Sequence, residues 1–353
     1  MGVKGQLTID EILEKDLDNF SLIDVRSPGE FLEDHIPNAI NIPLLDNEER
    51  KEIGIIYKNE GPDKAKLRGV EIVSPKLPEF IKTIHKVYQL KKPVVIYCWR
   101  GGLRSEASVT FARLAGISVS KLVGGYKSFR KFVSEYFINI DENIKFITLF
   151  GPTCSGKTEI LKCISQKGYP VINFEECARH KGSAFGHIGE DGYPFITQKK
   201  FESEIFYSMY NNKSNLYFVE GESKKIGKVT IPNSLFDKIK SAYKIYIDAD
   251  INFRVNFAIE TYKPQLYEKE ILNSLQNIKR YLEKKTFENL TSFLNQKNFE
   301  AFTKEIMINY YDPLYKNGIK ENFDYQIKLS NIEGTANELI KLYKEINNFH
   351  SVA

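Results

Sequence analysis

Hydrophobic residues along this chain fall into two alternating patterns. Short apolar runs lie at residues 21–24, 94–97, 117–123, 146–150, 171–174, 216–220 and 243–248. They are rich in Val, Ile and Phe and too short for helices, so they read as strands buried on both faces of a parallel sheet. Between several of them the apolar positions recur at helical spacing: Phe80, Ile81, Ile84, Val87 and Tyr88, then Ala107, Val109, Phe111, Ala112 and Leu114, then Ile160, Leu161 and Ile164. Strands alternating with helices predict an α/β fold with parallel sheets, whose ligand sites open at the strand C-termini. Ile40 and Ile42, bounded by Pro37 and Pro43, suit one more short strand, and residues 46–69 read as a polar insertion. Past Ile251 the pattern turns helical and polar through residues 271–294 and 302–311, and Pro313 is expected to end the last of these helices.

A chain of 353 residues is comfortable for two domains. The pattern breaks at Asp141-Glu-Asn-Ile-Lys145, so the expected domains are residues 1–140 and 145–353, the second with a helical C-terminal part. Hydrophobic content of 42% and charged content of 27% are those of an ordinary globular protein, with no repeat or low-complexity segment. A net charge of +4 permits a polyanionic partner without demanding one. The four cysteines form neither a metal-type CxxC pair nor a disulfide framework, which points to a reducing compartment. Neither an apolar leader nor a membrane-length run is evident, so a cytoplasmic protein without membrane contact is expected.

Candidate chemistry begins where the run at 94–97 stops. Cys98-Trp99-Arg100-Gly101-Gly102-Leu-Arg104-Ser105 joins that strand to a helical pattern starting near Ser105. Loop amides and a helix start favour negative charge and lower a thiol's pKa, and the glycines let those amides converge. Two guanidinium groups on one loop suit an anion. Cys98 is therefore a candidate reactive thiol; a buried structural cysteine is the plainer alternative, and the two arginines weigh against it.

The run at 146–150 enters Gly151-Pro-Thr153-Cys-Ser155-Gly156-Lys157-Thr158, a G-x4-G-K-T phosphate loop in its required strand-to-helix setting. Its amides would wrap a diphosphate, Lys157 would neutralise the oxygens, and Thr158 could hold Mg²⁺. The loop at 179–187 is rich in glycine and cations, which makes Arg179, His180 and Ser183 candidates for an anionic substrate. Glu220 and Glu222 end a strand where a carboxylate would reach Mg²⁺ or its waters; a solvated strand end is the alternative. Lys279, Arg280, Lys284 and Lys285, interleaved with Tyr262, Tyr267 and Tyr281, suit an RNA surface, though such faces are usually only solvated. The aromatic residues of Tyr310-Tyr-Asp-Pro-Leu-Tyr315 read as core.

Asp24-Val-Arg26, Glu30-Phe31, His35-Ile-Pro37-Asn-Ala-Ile-Asn-Ile-Pro43 and a cysteine loop followed by Gly124-Gly125 resemble a rhodanese-type sulfur-transfer domain, whose loop cysteine carries sulfur as a persulfide. Most such loops hold six residues, whereas Cys98 to Arg104 is a Cys-x5-Arg ring, the spacing of tyrosine-phosphatase and arsenate-reductase loops that cradle a tetrahedral oxyanion. Phosphatase chemistry is disfavoured, because Tyr97 rather than histidine precedes the cysteine and no general acid follows the loop.

With the phosphate-loop domain behind it and Tyr310-Tyr-Asp-Pro-Leu-Tyr315 near its end, the chain resembles the tRNA 2-selenouridine synthase family over nearly its whole length. The resemblance implies a transferase that replaces the sulfur of wobble 2-thiouridine in tRNA by selenium from selenophosphate, through an S-geranylated intermediate made from geranyl diphosphate. It implies the Cys98 ring for selenophosphate, the phosphate loop for the diphosphate with Mg²⁺ as a candidate cofactor, tRNA as partner, and a selenophosphate-producing enzyme as a candidate second partner. Cys154 departs from the family pattern, where glycine is expected. Two rival readings stand beside it: an ATP-dependent tRNA sulfurtransferase or kinase fused to a rhodanese domain, and a non-catalytic nucleotide- or RNA-binding module with an inert cysteine.

Overall fold

The computed structural model describes residues 5–221, 223–318 and 322–351. The chain divides into two compact units, Met1–Ile138 with Glu202–Glu204, and Asn139–Phe201 with Ile205–Ala353. In the first unit, β1 (Gln6–Leu7), β2 (Ser21–Asp24), β3 (Ile40–Asn41), β4 (Val94–Tyr97) and β5 (Val119–Leu122) form a five-stranded sheet ordered β1-β5-β4-β2-β3. Every pairing is parallel. All four residues of β4 are buried, as its continuous apolar run requires. The register sets Tyr97 opposite Asp24, so the ends of β2 and β4 lie side by side. Helix Leu77–Tyr88 lays Phe80, Ile84 and Val87 on the sheet, and helix Leu103–Leu114 adds Val109 and Ala112. Burying each large apolar side chain of this kind contributes about 1.5–3 kcal/mol.

Residues 46–69, expected as a polar insertion, hold helix Asn47–Glu60 and most of helix Pro62–Val73. The first of these buries no residue. It starts from a reciprocal cap in which Asp46 Oδ1 accepts from Glu49 N and Glu49 Oε2 accepts from Asp46 N, both at 2.8 Å. A helix set by capping and propensity leaves no apolar stripe to read.

The second unit is built on β6 (Lys145–Phe150), β7 (Val171–Ile172), β8 (Leu216–Glu220), a small antiparallel hairpin of β9 (Lys225–Ile226) and β10 (Val229–Thr230), β11 (Tyr243–Asp248) and β12 (Tyr325–Lys328). Its five-stranded sheet runs β12-β11-β6-β8-β7, all parallel, with β6 at the centre. β12 lies in the C-terminal part expected to be helical, beyond the last helical segment read there at 302–311. Only Ile327 of its four residues is buried, so this edge strand carries no apolar run. Helix Ile332–Ser351 then packs Ala336, Leu339 and Ile340 with Ile160, Leu161 and Ile164 of helix Lys157–Gln166.

The expected helix over 271–294 is broken into Glu268–Ile278, a 3₁₀ turn Lys279–Tyr281 and Lys284–Asn295. Pro313 does not end a helix either. After a π-helical turn, Met307–Tyr311, it is the second residue of helix Asp312–Gly318, where a missing N–H leaves no bond unmade. A further core of Ile271, Leu275, Leu290, Phe302 and Ile306 takes in Phe185 and Ile188, fastening the loop after β7 to these helices. Among the described residues, no helix is long and apolar enough to cross a membrane.

Candidate functional site

Cys98 follows the last residue of β4 and is 3% exposed. Its Sγ lies 3.2 Å from Ser105 Oγ, which also reaches Gly102 O at 3.0 Å. Serine has one proton to share between that carbonyl and the sulfur, so a thiolate at Cys98 would draw it. The loop backs onto the start of helix Gly125–Ile138: Tyr126 N and Lys127 N donate to Cys98 O and Trp99 O, each at 2.9 Å. Gly125, at φ +59°, has to be glycine there, since a Cβ would collide with Cys98 O and Gly101 N. Helix Leu103–Leu114 begins two residues earlier than Ser105.

Beneath the loop, the fully buried Arg26 binds Asp24 through Nε and Nη2 at 2.9 and 2.6 Å and donates to Asp34 O at 2.7 Å. Its guanidinium stacks on Tyr126 at 3.9 Å, and Tyr126 packs 5.2 Å from Trp99. Asp24-Val-Arg26 is thus the internal scaffold of the loop.

The two arginines of the ring differ. Arg104 was expected to serve the anion, but it grips Glu30 through both terminal nitrogens at 2.5 and 3.1 Å. Burial raises the Glu30 carboxyl, yet the hydrogen bonds and charge of Arg104 outweigh it and hold the group below its ordinary value. Arg100 is exposed and makes no ion pair among the described residues.

In the second unit the phosphate loop follows β6. Gly156 takes φ +82° and Cys154 takes φ +64°, a left-handed conformation that costs a side-chain-bearing residue about 1 kcal/mol or more. Burial pushes the Cys154 thiol up to about 12, against the pull of Lys157 and Arg254, so it stays protonated. Lys157 Nζ sits 2.8 Å from Gly151 O, and Ser155 is fully buried. Thr158 Oγ1 donates to Glu175 Oε2 at 2.6 Å.

Two contacts brace the loop from the C-terminal helices. Tyr315 Oη accepts from Gly151 N at 2.5 Å. Arg254 donates to Thr153 O at 2.9 Å and holds Asp312 at 2.6 and 3.0 Å.

A cavity of about 980 Å³ opens on the loop. Lys157, Thr158, Glu175, Arg179, Lys181 and Ser183 lie on its wall, as do Phe236, Phe257, Tyr262, Tyr310, Tyr311 and Tyr315. The Tyr310–Tyr315 segment, expected as core, is so for Tyr310, with Tyr311 packed against the same helical core, and it also lines the cavity through Tyr310, Tyr311 and Tyr315. His180 is placed elsewhere: it is buried beside Tyr193 at 5.1 Å and His187 at 6.4 Å, off the cavity wall. Burial, then His187, drives its pKa down to about 4, so it is neutral and brings no charge to an anion. Glu220 is 1% exposed, accepts from Phe174 N at 2.8 Å and is also off that wall. Glu222 lies outside the described residues. Lys279, Arg280, Lys284 and Lys285 are exposed around the turn between two helices; Lys279 sits over Phe287 and Arg280 over Tyr281.

The sequence reading missed Glu175, Arg254 and Asp312. The signal for Glu175 was its place just past the strand after the phosphate loop, whereas Arg254 and Asp312 are 58 residues apart and carry no joint pattern.

Residues 144–348 match the family model of the tRNA 2-selenouridine synthase AAA domain, and residues 9–132 match the rhodanese-like domain. The chain is 36% identical to the tRNA 2-selenouridine synthase of Nitrosomonas eutropha over 244 residues, 67% of this chain and 61% of that protein. It is 33% identical to that of Hydrogenovibrio crunogenus, over 70% of each chain, and 29% identical to that of Chromohalobacter salexigens, over 85% of this chain and 88% of that one. For some of these relatives, then, the match spans less than two thirds of their length. A family model that covers more than half of the chain, joined to a rhodanese-like domain ahead of it, places this protein in the tRNA 2-selenouridine synthase family.

Proposed function

We propose that this protein exchanges the sulfur of 2-thiouridine at the tRNA wobble position for selenium, with geranyl diphosphate and selenophosphate as co-substrates. The thiouridine sulfur attacks the geranyl carbon and diphosphate leaves; the selenium of selenophosphate then bonds to C2 of the base as the geranylthiol leaves, and water cleaves the Se–P bond to release phosphate. The observation that carries the reading is the composition of the large cavity. One part of its wall is a diphosphate cradle with Lys157 poised for the leaving charge, and another is Phe236, Phe257, Tyr262 and Leu314, suited to a hydrocarbon chain. The Cys98 ring, with loop amides and the exposed Arg100, suits a tetrahedral anion and serves the selenium step.

The test is mass spectrometry of nucleosides from 2-thiouridine tRNA incubated with both co-substrates. Geranylated and then selenated uridine are expected. Lys157→Ala should block geranylation yet still selenate tRNA that was geranylated beforehand, and Cys98→Ala should do the reverse. Turnover of ATP in place of geranyl transfer would replace this reading by the sulfurtransferase or kinase one.

A further inference from the structure

We propose that the β9–β10 hairpin, with the turn that precedes Gln198, is a docking surface for single-stranded RNA beside the large cavity, where it holds the strand around the wobble uridine. This rests on the tRNA reading above and deepens it by naming the surface. Residues 223–240 carry five lysines against one acid, Asp237, a surplus equal to the +4 of the whole chain. Charge gathered on so short a stretch makes a local field that an evenly mixed surface lacks.

Most of those lysines are uncommitted. Lys238 is tied to the carbonyls of Glu142 and Ile144. Lys224, Lys225, Lys228 and Lys240 are exposed, and their ammonium groups form no ion pair with any described residue. Three of them sit over aromatic rings instead: Lys228 Nζ lies 4.7 Å from the centre of Tyr193, and Lys224 and Lys240 lie 5.9 and 4.8 Å from that of Phe236. A ring orients an ammonium without neutralising it.

The fold sets this surface beside the cavity. Ser223, Phe236 and Lys240 belong to the cavity wall, and Ser223 Oγ donates to Lys225 O at 2.6 Å, at the foot of the hairpin. Gln198 clamps β10, donating to Thr230 O at 2.7 Å and accepting from Thr230 N at 2.9 Å. Shortly before Gln198, the 3₁₀ turn Tyr193–Phe195 leaves the Phe195 side chain 56% exposed. An exposed ring among unpaired lysines offers a base a face to stack upon. Phosphates for the lysines and an unstacked base for Phe195 together describe a single strand. A duplex keeps its bases stacked inside, and a small anion needs no ring.

The full chain is titrated by fluorescence anisotropy, across a salt series, with a labelled anticodon stem-loop RNA and with a blunt RNA duplex of equal length. Inorganic pyrophosphate is titrated separately by calorimetry. The triple variant Lys224→Ala/Lys225→Ala/Lys228→Ala should bind the stem-loop more weakly and lower the slope of log affinity against log salt by about two, as three lost contacts to a single strand require. Its pyrophosphate affinity should hold, because none of the three lines the cavity. Phe195→Ala should weaken stem-loop binding about tenfold with the slope unaltered, and Phe195→Tyr should keep the native affinity. The inference is overturned if the triple variant retains the native slope, if Phe195→Ala binds as the native chain does, or if either change weakens the duplex as much as the stem-loop. A pyrophosphate affinity that falls in step would make the lysines a small-anion site and overturn it as well. A native chain that binds pyrophosphate but no stem-loop would sink the tRNA reading, and this inference with it.

Discussion

Arg100 and Arg104 stand four positions apart on one loop, and their partners give them different roles. Arg104 neutralises a half-buried Glu30, so Arg104→Ala leaves that carboxylate with only the Ser27 N–H at 3.1 Å and Arg50 at 3.9 Å and should cost about 1–3 kcal/mol in urea unfolding. Arg100→Ala removes an exposed charge and should leave stability within about 0.5 kcal/mol while weakening anion binding at the loop. The pH dependence separates them further. The folded-state pKa of Glu30 is depressed, so its contribution is fully present above the ordinary value of 4.5 and is lost as pH falls through the lower folded value. In Arg104→Ala that acid-side loss should shrink in stability–pH curves, since only the Ser27 N–H and the more distant Arg50 would then oppose burial. An unchanged acid limb would show that Arg104 does not hold Glu30 in solution.

At the level of elements, the phosphate loop is shaped from outside itself. Helix Ile251–Tyr262 supplies Arg254, and the turn into helix Asp312–Gly318 supplies its counter-ion Asp312. Arg254 is 4% exposed, so removing its partner strands a buried charge beneath the loop. Asp312→Asn is expected to destabilise the second unit by about 2 kcal/mol, below the cost of a fully buried pair because Asp312 is partly exposed. It should also weaken pyrophosphate binding, because Arg254, which anchors Thr153 O, loses the carboxylate that holds it in place. Calorimetric melting and titration of the variant check both, and an unaltered affinity would show that the loop keeps its shape without the brace.

For the whole molecule the proposed tRNA substrate makes a testable demand on the surface. The four exposed cations at Lys279, Arg280, Lys284 and Lys285 gather at one helix junction, and Lys284 has only a loose i,i+4 contact with Glu288 at 4.0 Å. If they meet phosphates, tRNA affinity should fall steeply with salt, by a slope of about one unit per contact. Replacing all four by alanine should flatten that slope. Filter binding across a salt series measures it, and an unchanged slope would make these residues a solvated face.

What the sequence determined by itself was local or periodic. Buried parallel strands announce themselves as apolar runs, so β4, β6, β8 and β11 were legible, as was the phosphate loop, whose glycine spacing is a backbone requirement. Cys98 at the end of β4 followed from the same reading. Helix Asn47–Glu60 and strand β12 escaped because neither buries a continuous apolar face. Only the tertiary structure decided how charges pair across long separations. It took Arg104 for Glu30, 74 residues away, set Glu175 rather than Glu220 against Thr158, buried His180 off the cavity, and turned the Tyr310–Tyr315 segment toward the phosphate loop. The physical reason is that an ion pair or a cavity wall depends on where the packed core carries each side chain, and that packing leaves no periodic trace in the order of residues.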